Sequence, residues 1–203
     1  MIYYLTPFCS QKRLGHIHNQ YCALVPNDDD YICILDPDVM MLHPHQMKWI
    51  EDIVLSEEWQ KYDVLGCMTN RVGIDQQVSR SVSVTWERIG SKIVEKEFLE
   101  HKETMFDLYD VKKHTIYADI IHDKNKFIIE EAEVVAGFLM IFKKSIWNQI
   151  KFEESIQFDM KFCNAVKQSG GKIGIMKGIY VFHNYRMGKD NIKDKTHLLN
   201  RNQ

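Results

Sequence analysis

The sequence predicts an α/β fold, a three-layer α/β/α domain around a mostly parallel central sheet. Short apolar runs that read as strands alternate along the chain with stretches whose apolar residues recur at helical spacing. One run, Tyr31 to Leu35, is apolar without interruption, the pattern of a strand buried on both faces of a parallel sheet. The chain has 203 residues, enough for one domain with a real core, and shows neither an internal repeat nor a linker-like stretch.

Ile2 to Phe8 reads as a first strand closed by Pro7, and Lys12 to Val25 as a helix with Leu14, Ile17, Tyr21, Leu24 and Val25 on one face. Pro26 to Asp30 reads as a turn, with Asp28, Asp29 and Asp30 solvated in it. After the Tyr31–Leu35 strand, Pro44 opens a helix that runs to about Tyr62, its stripe being Met47, Ile50, Ile53 and Val54. Asp63 to Met68 is a strand, and residues 69–85 read as a loop with a short β segment. Residues 86–110 are expected to be mostly helical; residues 111–126 show no clear pattern. Phe127 to Ile129 and Val134 to Phe142 are strand candidates, Lys144 to Ile150 a short helix, and Phe158 to Gln168 a helix capped by Ser169-Gly170-Gly171. Lys172 to Phe182 supplies one or two more strands. Residues 1–188 are taken as one domain and 189–203 as a polar tail.

Composition narrows the function classes. Hydrophobic residues make up 45% and charged residues 27%, with a formal net charge of -2 and no long basic run, which argues against a nucleic-acid binder. No stretch reaches the ~20 apolar residues of a membrane-spanning helix, and the N-terminus lacks the features of a signal peptide. The five cysteines, Cys9, Cys22, Cys33, Cys67 and Cys163, lack zinc or redox spacing and sit in apolar contexts. Buried free thiols and a cytoplasmic location are therefore expected.

The sharpest motif is Asp36-Pro37-Asp38, at the end of the Tyr31–Leu35 strand. In an extended backbone residues i and i+2 point to the same side, and Pro37 biases Asp36 toward extended geometry. Two carboxylates projecting together repel one another unless a cation lies between them. Mn²⁺ or Mg²⁺, hard ions that take oxygen ligands and leave room for phosphate, suit such a pair, and strand carboxyl ends are where open α/β sheets bind ligands. A bare Asp-x-Asp is also an ordinary solvated turn. The pairs His16/His18 and His43/His45 lack a third partner at recognisable spacing and read as surface histidines.

Four segments together resemble GT-A glycosyltransferases, especially those similar to glycosyltransferase family 2. They are Ile2–Phe8, Lys12-Arg-Leu-Gly-His-Ile-His-Asn19, Asp30–Val39, and the C-terminal half from Val135–Phe142 through Phe158–Cys163 to Tyr180-Val-Phe-His183. The resemblance implies transfer of a hexose from a nucleotide diphosphate sugar to an acceptor hydroxyl, with a divalent metal stabilising the diphosphate leaving group. It implies Asp36 near the nucleotide ribose, Asp38 on the metal, Lys12 and Arg13 near the diphosphate, and Asn19 orienting the Asp36–Asp38 turn or a nucleotide group. It implies Asp159 as the general base of an inverting reaction, His183 as a further metal ligand, and Tyr185 and Arg186 within reach of phosphate or acceptor. Asn70, Arg71 and Gln76 become candidate donor-sugar or acceptor contacts. Lys161 and Gln157 stand where related sequences often carry acids, leaving Asp159 as the one acid of its motif. A single helix joins the first strand to the Asp-x-Asp strand, where the family places a full βαβ unit, so the nucleoside-binding region is shortened.

Two other readings remain open on the sequence. A haloacid-dehalogenase-like phosphatase also carries Asp-x-Asp after an apolar strand, but the C-terminal half offers no matching acidic pair. A non-catalytic GT-A-like domain that binds a glycan or partner is favoured by the shortened nucleoside region and the single acid at Asp159.

Overall fold

The computed structural model describes residues 1–8, 13–57, 59–70, 72–79, 86–89, 92–95 and 111–183. Nine strands and five α-helices lie among them: β1 (Ile2–Leu5), α1 (Leu14–Ala23), β2 (Tyr31–Leu35), β3 (Val39–Met40), α2 (Gln46–Val54), β4 (Val64–Thr69), β5 (Trp86–Ile89), β6 (Lys92–Glu95), α3 (Val111–Asn125), β7 (Ile129–Ala132), β8 (Leu139–Lys143), α4 (Lys144–Gln149), α5 (Phe158–Gln168) and β9 (Ile173–His183).

Seven strands form one sheet in the order β1-β2-β8-β4-β9-β3, with β7 also paired to β9. The sheet is mixed, which corrects the expectation of a mostly parallel one. β1/β2 and β4/β9 are parallel, whereas β2/β8, β4/β8, β3/β9 and β7/β9 are antiparallel. The physical reason is β8, which enters the middle of the sheet against the direction of both neighbours. A continuous apolar run reports burial on both faces and says nothing of strand direction.

Alternation along β2 sends Ile32 and Ile34 to one core and Cys33 to the other. The first core gathers Met140, Phe142, Phe152, Phe162 and Val166 with residues of α1, α3 and α4. The second packs Ile50, Ile53 and Val54 of α2 against Leu65, Leu139, Ile141 and Val181. Helices therefore cover both faces of the sheet.

Several local expectations are corrected. Trp86–Ile89 and Lys92–Glu95 pair as an antiparallel two-stranded unit, not a helix. Their Ile and Val content and the intervening Gly90-Ser91 are strand and turn signals that outweigh the loose helical period. Val111–Asn125 is a helix despite its lack of a clear apolar period. Of the predicted strand 134–142 only Leu139 onward pairs; Val135, Ala136 and Phe138 are apolar because they are buried beside the sheet's end. The second helix stops at Val54, and a short 3₁₀ turn follows at Trp59–Lys61. Leu24, expected on the inner stripe of α1, is exposed. Asp30 is buried, accepting hydrogen bonds from the Met1 amine at 2.9 Å and Asn27 Nδ2 at 2.8 Å; only Asp28 and Asp29 are exposed.

The cysteines Cys22, Cys33, Cys67 and Cys163 are buried and free. Burial pushes the Cys22 and Cys163 thiols up to about 12, so neither is a nucleophile near neutral pH. Cys9 and the tail 189–203 lie outside the described residues. No described helix is long and apolar enough to cross a membrane.

α2 is tied to α3 by a ring stack. Trp49 stacks with His43, at 4.6 Å, and His122, at 3.7 Å, both rings nearly parallel to it. His43, expected at the surface, is half-buried, while His45 is exposed. Burial lowers the His122 pKa below its ordinary value of 6.5, opposed by its hydrogen bond to the Gly178 carbonyl. A histidine with a lowered folded pKa contributes stability above its unfolded value and loses it as pH falls. Wild type should therefore lose stability relative to His122→Phe below about pH 6.5. Urea unfolding of both proteins between about pH 7.5 and 5 checks this; a pH-independent difference would contradict it.

Candidate active site

The position of the site follows from one crossing of the chain. β2 lies inside the sheet, but β3, only a turn later, pairs with β9 at the far edge. The connecting segment, Asp36-Pro37-Asp38, must therefore pass across the end of the sheet. It is pinned at both sides. The Asp36 N–H donates to the Phe138 carbonyl at 2.9 Å, and the Val39 N–H closes the turn on the Asp36 carbonyl at 3.1 Å. Val39 then pairs with His183, the last residue of β9. Two acids from early in the chain and an imidazole from its far end are thus brought together.

His183 Nε2 lies 3.3 Å from Asp38 Oδ1 and 3.9 Å from Asp36 Oδ2. One ligand atom from each of the three falls within 4.8 Å of the others. His183 is buried and stacks on Phe138 at 4.9 Å; the two acids are half-exposed toward a cleft. Burial is the main force raising the Asp36 carboxyl to about 6; the charges of Asp38 and Asp159 add to it, and His183 opposes them. At Asp38 burial also pushes upward, but the hydrogen bond and charge of His183 outweigh it and hold the pKa below the usual carboxylate value. Two carboxylates and one imidazole facing a cleft form a donor set suited to a divalent cation such as Mn²⁺, since carboxylate oxygens favour hard ions and imidazole admits the transition metals.

The cleft has a volume of about 760 Å³. Asp36, Asp38, His183, Asp159 and His18 provide its charged and ionisable lining, and Phe8, Ile156 and Met160 lie at its exposed apolar margin. No Lys or Arg is among the described lining residues, so the floor is acidic.

Asp159 reaches the cleft from the first turn of α5. Its Oδ2 accepts the Gly137 N–H at 2.9 Å and its Oδ1 the Met160 N–H at 2.8 Å. Gly137 is needed for this approach: a Cβ there would lie 2.7 Å from Phe158 Cζ and 3.3 Å from Asp159 Cβ. Each carboxylate oxygen keeps a lone pair for a ligand.

Other candidates fall elsewhere. Asn19 does not orient the Asp36–Asp38 turn. Its Oδ1 accepts from Trp147 Nε1 and the Phe152 N–H, and its Nδ2 donates to the Phe152 carbonyl, so it staples α1 to the segment before α5. Arg13 is exposed just ahead of α1 and is not in the cleft lining. Gln76 is exposed and also outside that lining. Lys161 pairs with Glu153 at 2.8 Å on the surface, whereas Gln157 lines the cleft. Lys12, Arg71, Tyr185 and Arg186 lie outside the described residues.

Asn70 is buried and touches the site through the backbone of His183 rather than through a sugar position. Its Oδ1 accepts the His183 N–H at 2.7 Å and its Nδ2 donates to the His183 carbonyl at 3.2 Å. Both main-chain groups of the third candidate ligand are thereby fixed by one side chain. Asn70→Leu should lower divalent-cation affinity about 10- to 100-fold, the usual effect of losing a ligand-orienting partner. Calorimetric titration with Mn²⁺ reads this directly, and an unchanged affinity in a folded variant would refute the role.

Sequence reasoning also missed His18, which is buried and lines the cleft, while its neighbour His16 is exposed. The signal was present: His18 lies four residues from both Leu14 and Cys22, on the inner stripe of α1. Neither a scan against protein-family models nor a search of curated proteins finds a match for this chain.

Proposed function

We propose that this chain is a metal-dependent glycosyltransferase that moves a hexose from a nucleotide diphosphate sugar to an acceptor hydroxyl, with inversion. The observation that carries the reading is the convergence of Asp36, Asp38 and His183 at the sheet's end, in one cleft with Asp159. An acidic floor repels a diphosphate unless a cation intervenes. Asp36, Asp38 and His183 would hold the ion, which when bound supplies Lewis-acid stabilisation of the diphosphate leaving group.

The chain's own residues do the rest. Asn70 fixes His183, and the Phe138 carbonyl and Val39 pairing fix the Asp turn. Gly137 and the start of α5 orient Asp159, whose remaining lone pairs take the proton of the acceptor hydroxyl. With Asp159 as base, Asp159→Asn should lower kcat about 10²- to 10⁴-fold while donor affinity stays unchanged. Turnover that survives this change would exclude the base role.

A second reading, glycan or partner binding without turnover, is favoured by one observation. Both oxygens of Asp159 already hold backbone N–H groups, as they would if it only anchored the start of α5. The phosphatase reading gains no comparable support: the group meeting the Asp pair among the described residues is an imidazole.

The deciding experiment is thermal unfolding against a panel of nucleoside diphosphates and their sugars, with and without Mn²⁺. A ligand that binds only the folded state raises Tm by mass action. A rise that needs both metal and one nucleotide, and disappears in Asp38→Ala, would support the transferase. No rise with any nucleotide would put the binding-only reading first. The cytoplasmic location belongs to the same proposal, resting on the buried free cysteines.

A further inference from the structure

One wall of the cleft contains a buried hydrogen-bond acceptor with nothing to accept. His18 is 2% exposed and lines the cleft. Its Nδ1 lies 2.6 Å from the Leu14 carbonyl oxygen. A carbonyl only accepts, so Nδ1 carries the proton and Nε2 bears a lone pair. Nε2 makes no hydrogen bond. The ring is held in place by Phe158, tilted against it at 4.2 Å, and by the edge of Phe152 at 5.5 Å. Burial keeps the imidazole neutral, against smaller opposing effects from the Leu14 bond and the charges of Asp159 and Glu154. Phe158 immediately precedes Asp159, so the same turn that presents the acid also walls in His18.

Buried polar groups are almost always paired, and an exception asks for an explanation. His18 lines the cleft, and its buried Nε2 is unsatisfied. A ligand that donates a hydrogen bond there completes the wall.

We propose that His18 Nε2 accepts a hydrogen bond from one hydroxyl of a carbohydrate bound in the cleft beside Asp159, and so selects the sugar by the position of that hydroxyl. The ligand class rests on the glycosyl-transfer reading above. A neutral acceptor in an apolar wall suits a neutral donor, and a sugar lacking the matching hydroxyl would leave the lone pair buried and unpaired.

The test uses the full chain labelled with ¹⁵N-histidine, in Mg²⁺, titrated with methyl glycosides of glucose, galactose, mannose and N-acetylglucosamine. Long-range ¹H–¹⁵N spectra report the His18 Nε2 resonance, assigned from its loss in His18→Phe. One glycoside is expected to move it upfield, toward the position of a hydrogen-bonded nitrogen. His18→Phe should bind that glycoside roughly five- to tenfold more weakly, with its affinity for nucleoside diphosphates and Mg²⁺ unchanged. His18→Gln, which restores an acceptor, should recover part of the loss. A resonance that stays still under every glycoside, or equal binding by His18→Phe, overturns the proposal. Should His18→Phe fail to fold, the resonance is assigned from His18→Gln and the wild-type titration decides. If nucleotides bind and no glycoside moves the resonance, this inference alone falls. If a glycoside moves it and no nucleotide binds, the transferase reading falls and this inference stands.

Discussion

Asp38→Asn is expected to weaken divalent-cation binding by at least about 100-fold and to lower metal-dependent turnover at least as far. The change is nearly isosteric, so the loss would be one of charge and ligand quality rather than shape. Asp38 is the better ligand of the pair: its pKa is held down, so it enters the site already ionised, whereas Asp36 is pushed up to about 6. Asp36→Asn should cost nearly as much in affinity, but with a different signature. A metal that displaces a proton from Asp36 binds more tightly as pH rises through about 6, because ligands must be deprotonated to bind. Wild type and Asp38→Asn should show a steeper pH dependence than Asp36→Asn, which lacks this proton-displacing carboxylate. Mn²⁺ titration followed by electron paramagnetic resonance measures all three, with Asp52→Asn, in the Lys48–Asp52 pair, as the control. If Asp38→Asn binds Mn²⁺ as wild type does, His183 is acting as the counter-cation of the acid pair and the metal reading fails.

The parts of the molecule legible in sequence are those governed by local periodicity. Phe158–Gln168 and Lys144–Ile150 were readable from apolar spacing and the glycine cap, and the Tyr31–Leu35 strand from its continuous apolar run. The Asp36–Asp38 pair was readable as a motif at a strand end, but not in its geometry: Pro37 and Asp38 form a turn closed by the Val39 N–H on the Asp36 carbonyl, where an extended backbone was expected. Strand direction was not readable, because β8 pairs with β2 and β4 through contacts that no local pattern encodes. Roles fixed by tertiary hydrogen bonds were equally hidden. Asn19 and Asn70 look alike as isolated polar residues. One proves to staple α1 to Phe152, and the other to clamp the backbone of His183. Residues 134–138 show a third kind of failure. Their apolar character reports burial beside the cleft, and burial alone does not separate a strand from a packed loop. His183 joined the Asp pair only by resemblance; the physical reason it lies there is the Val39–His183 pairing, a contact between residues far apart in the sequence.

Gln77→Ala is expected to destabilise the fold by roughly 2–5 kcal/mol, a large effect for the loss of one uncharged polar side chain. Gln77 is fully buried. Its Nε2 donates to the Cys67 carbonyl at 3.0 Å, and its Oε1 accepts the Ala136 N–H at 2.7 Å. Cys67 lies where the β4/β9 ladder shifts register, so an external donor is wanted at that point. Ala136 belongs to the loop that leads into β8 and lines the cleft. One amide therefore joins the centre of the sheet to the wall of the site. Space for it is kept by Gly66, where a Cβ would lie 2.7 Å from Gln77 Nε2. Truncation leaves a buried donor and a buried acceptor without partners and opens a void beside them, each a separate cost. Against a typical total stability of about 5–15 kcal/mol this is a large fraction. Urea unfolding should show a lower midpoint with an unchanged slope. Gln77→Glu should also destabilise near neutral pH, since a carboxylate cannot donate to the Cys67 carbonyl, and should recover when protonated at lower pH. A loss under about 1 kcal/mol in Gln77→Ala would mean that water enters and bridges the two groups. The cleft wall, with Gly137 and the Asp159 it orients, would then be held to the sheet chiefly by the Asp36–Phe138 hydrogen bond and the Phe138–His183 stack rather than by Gln77.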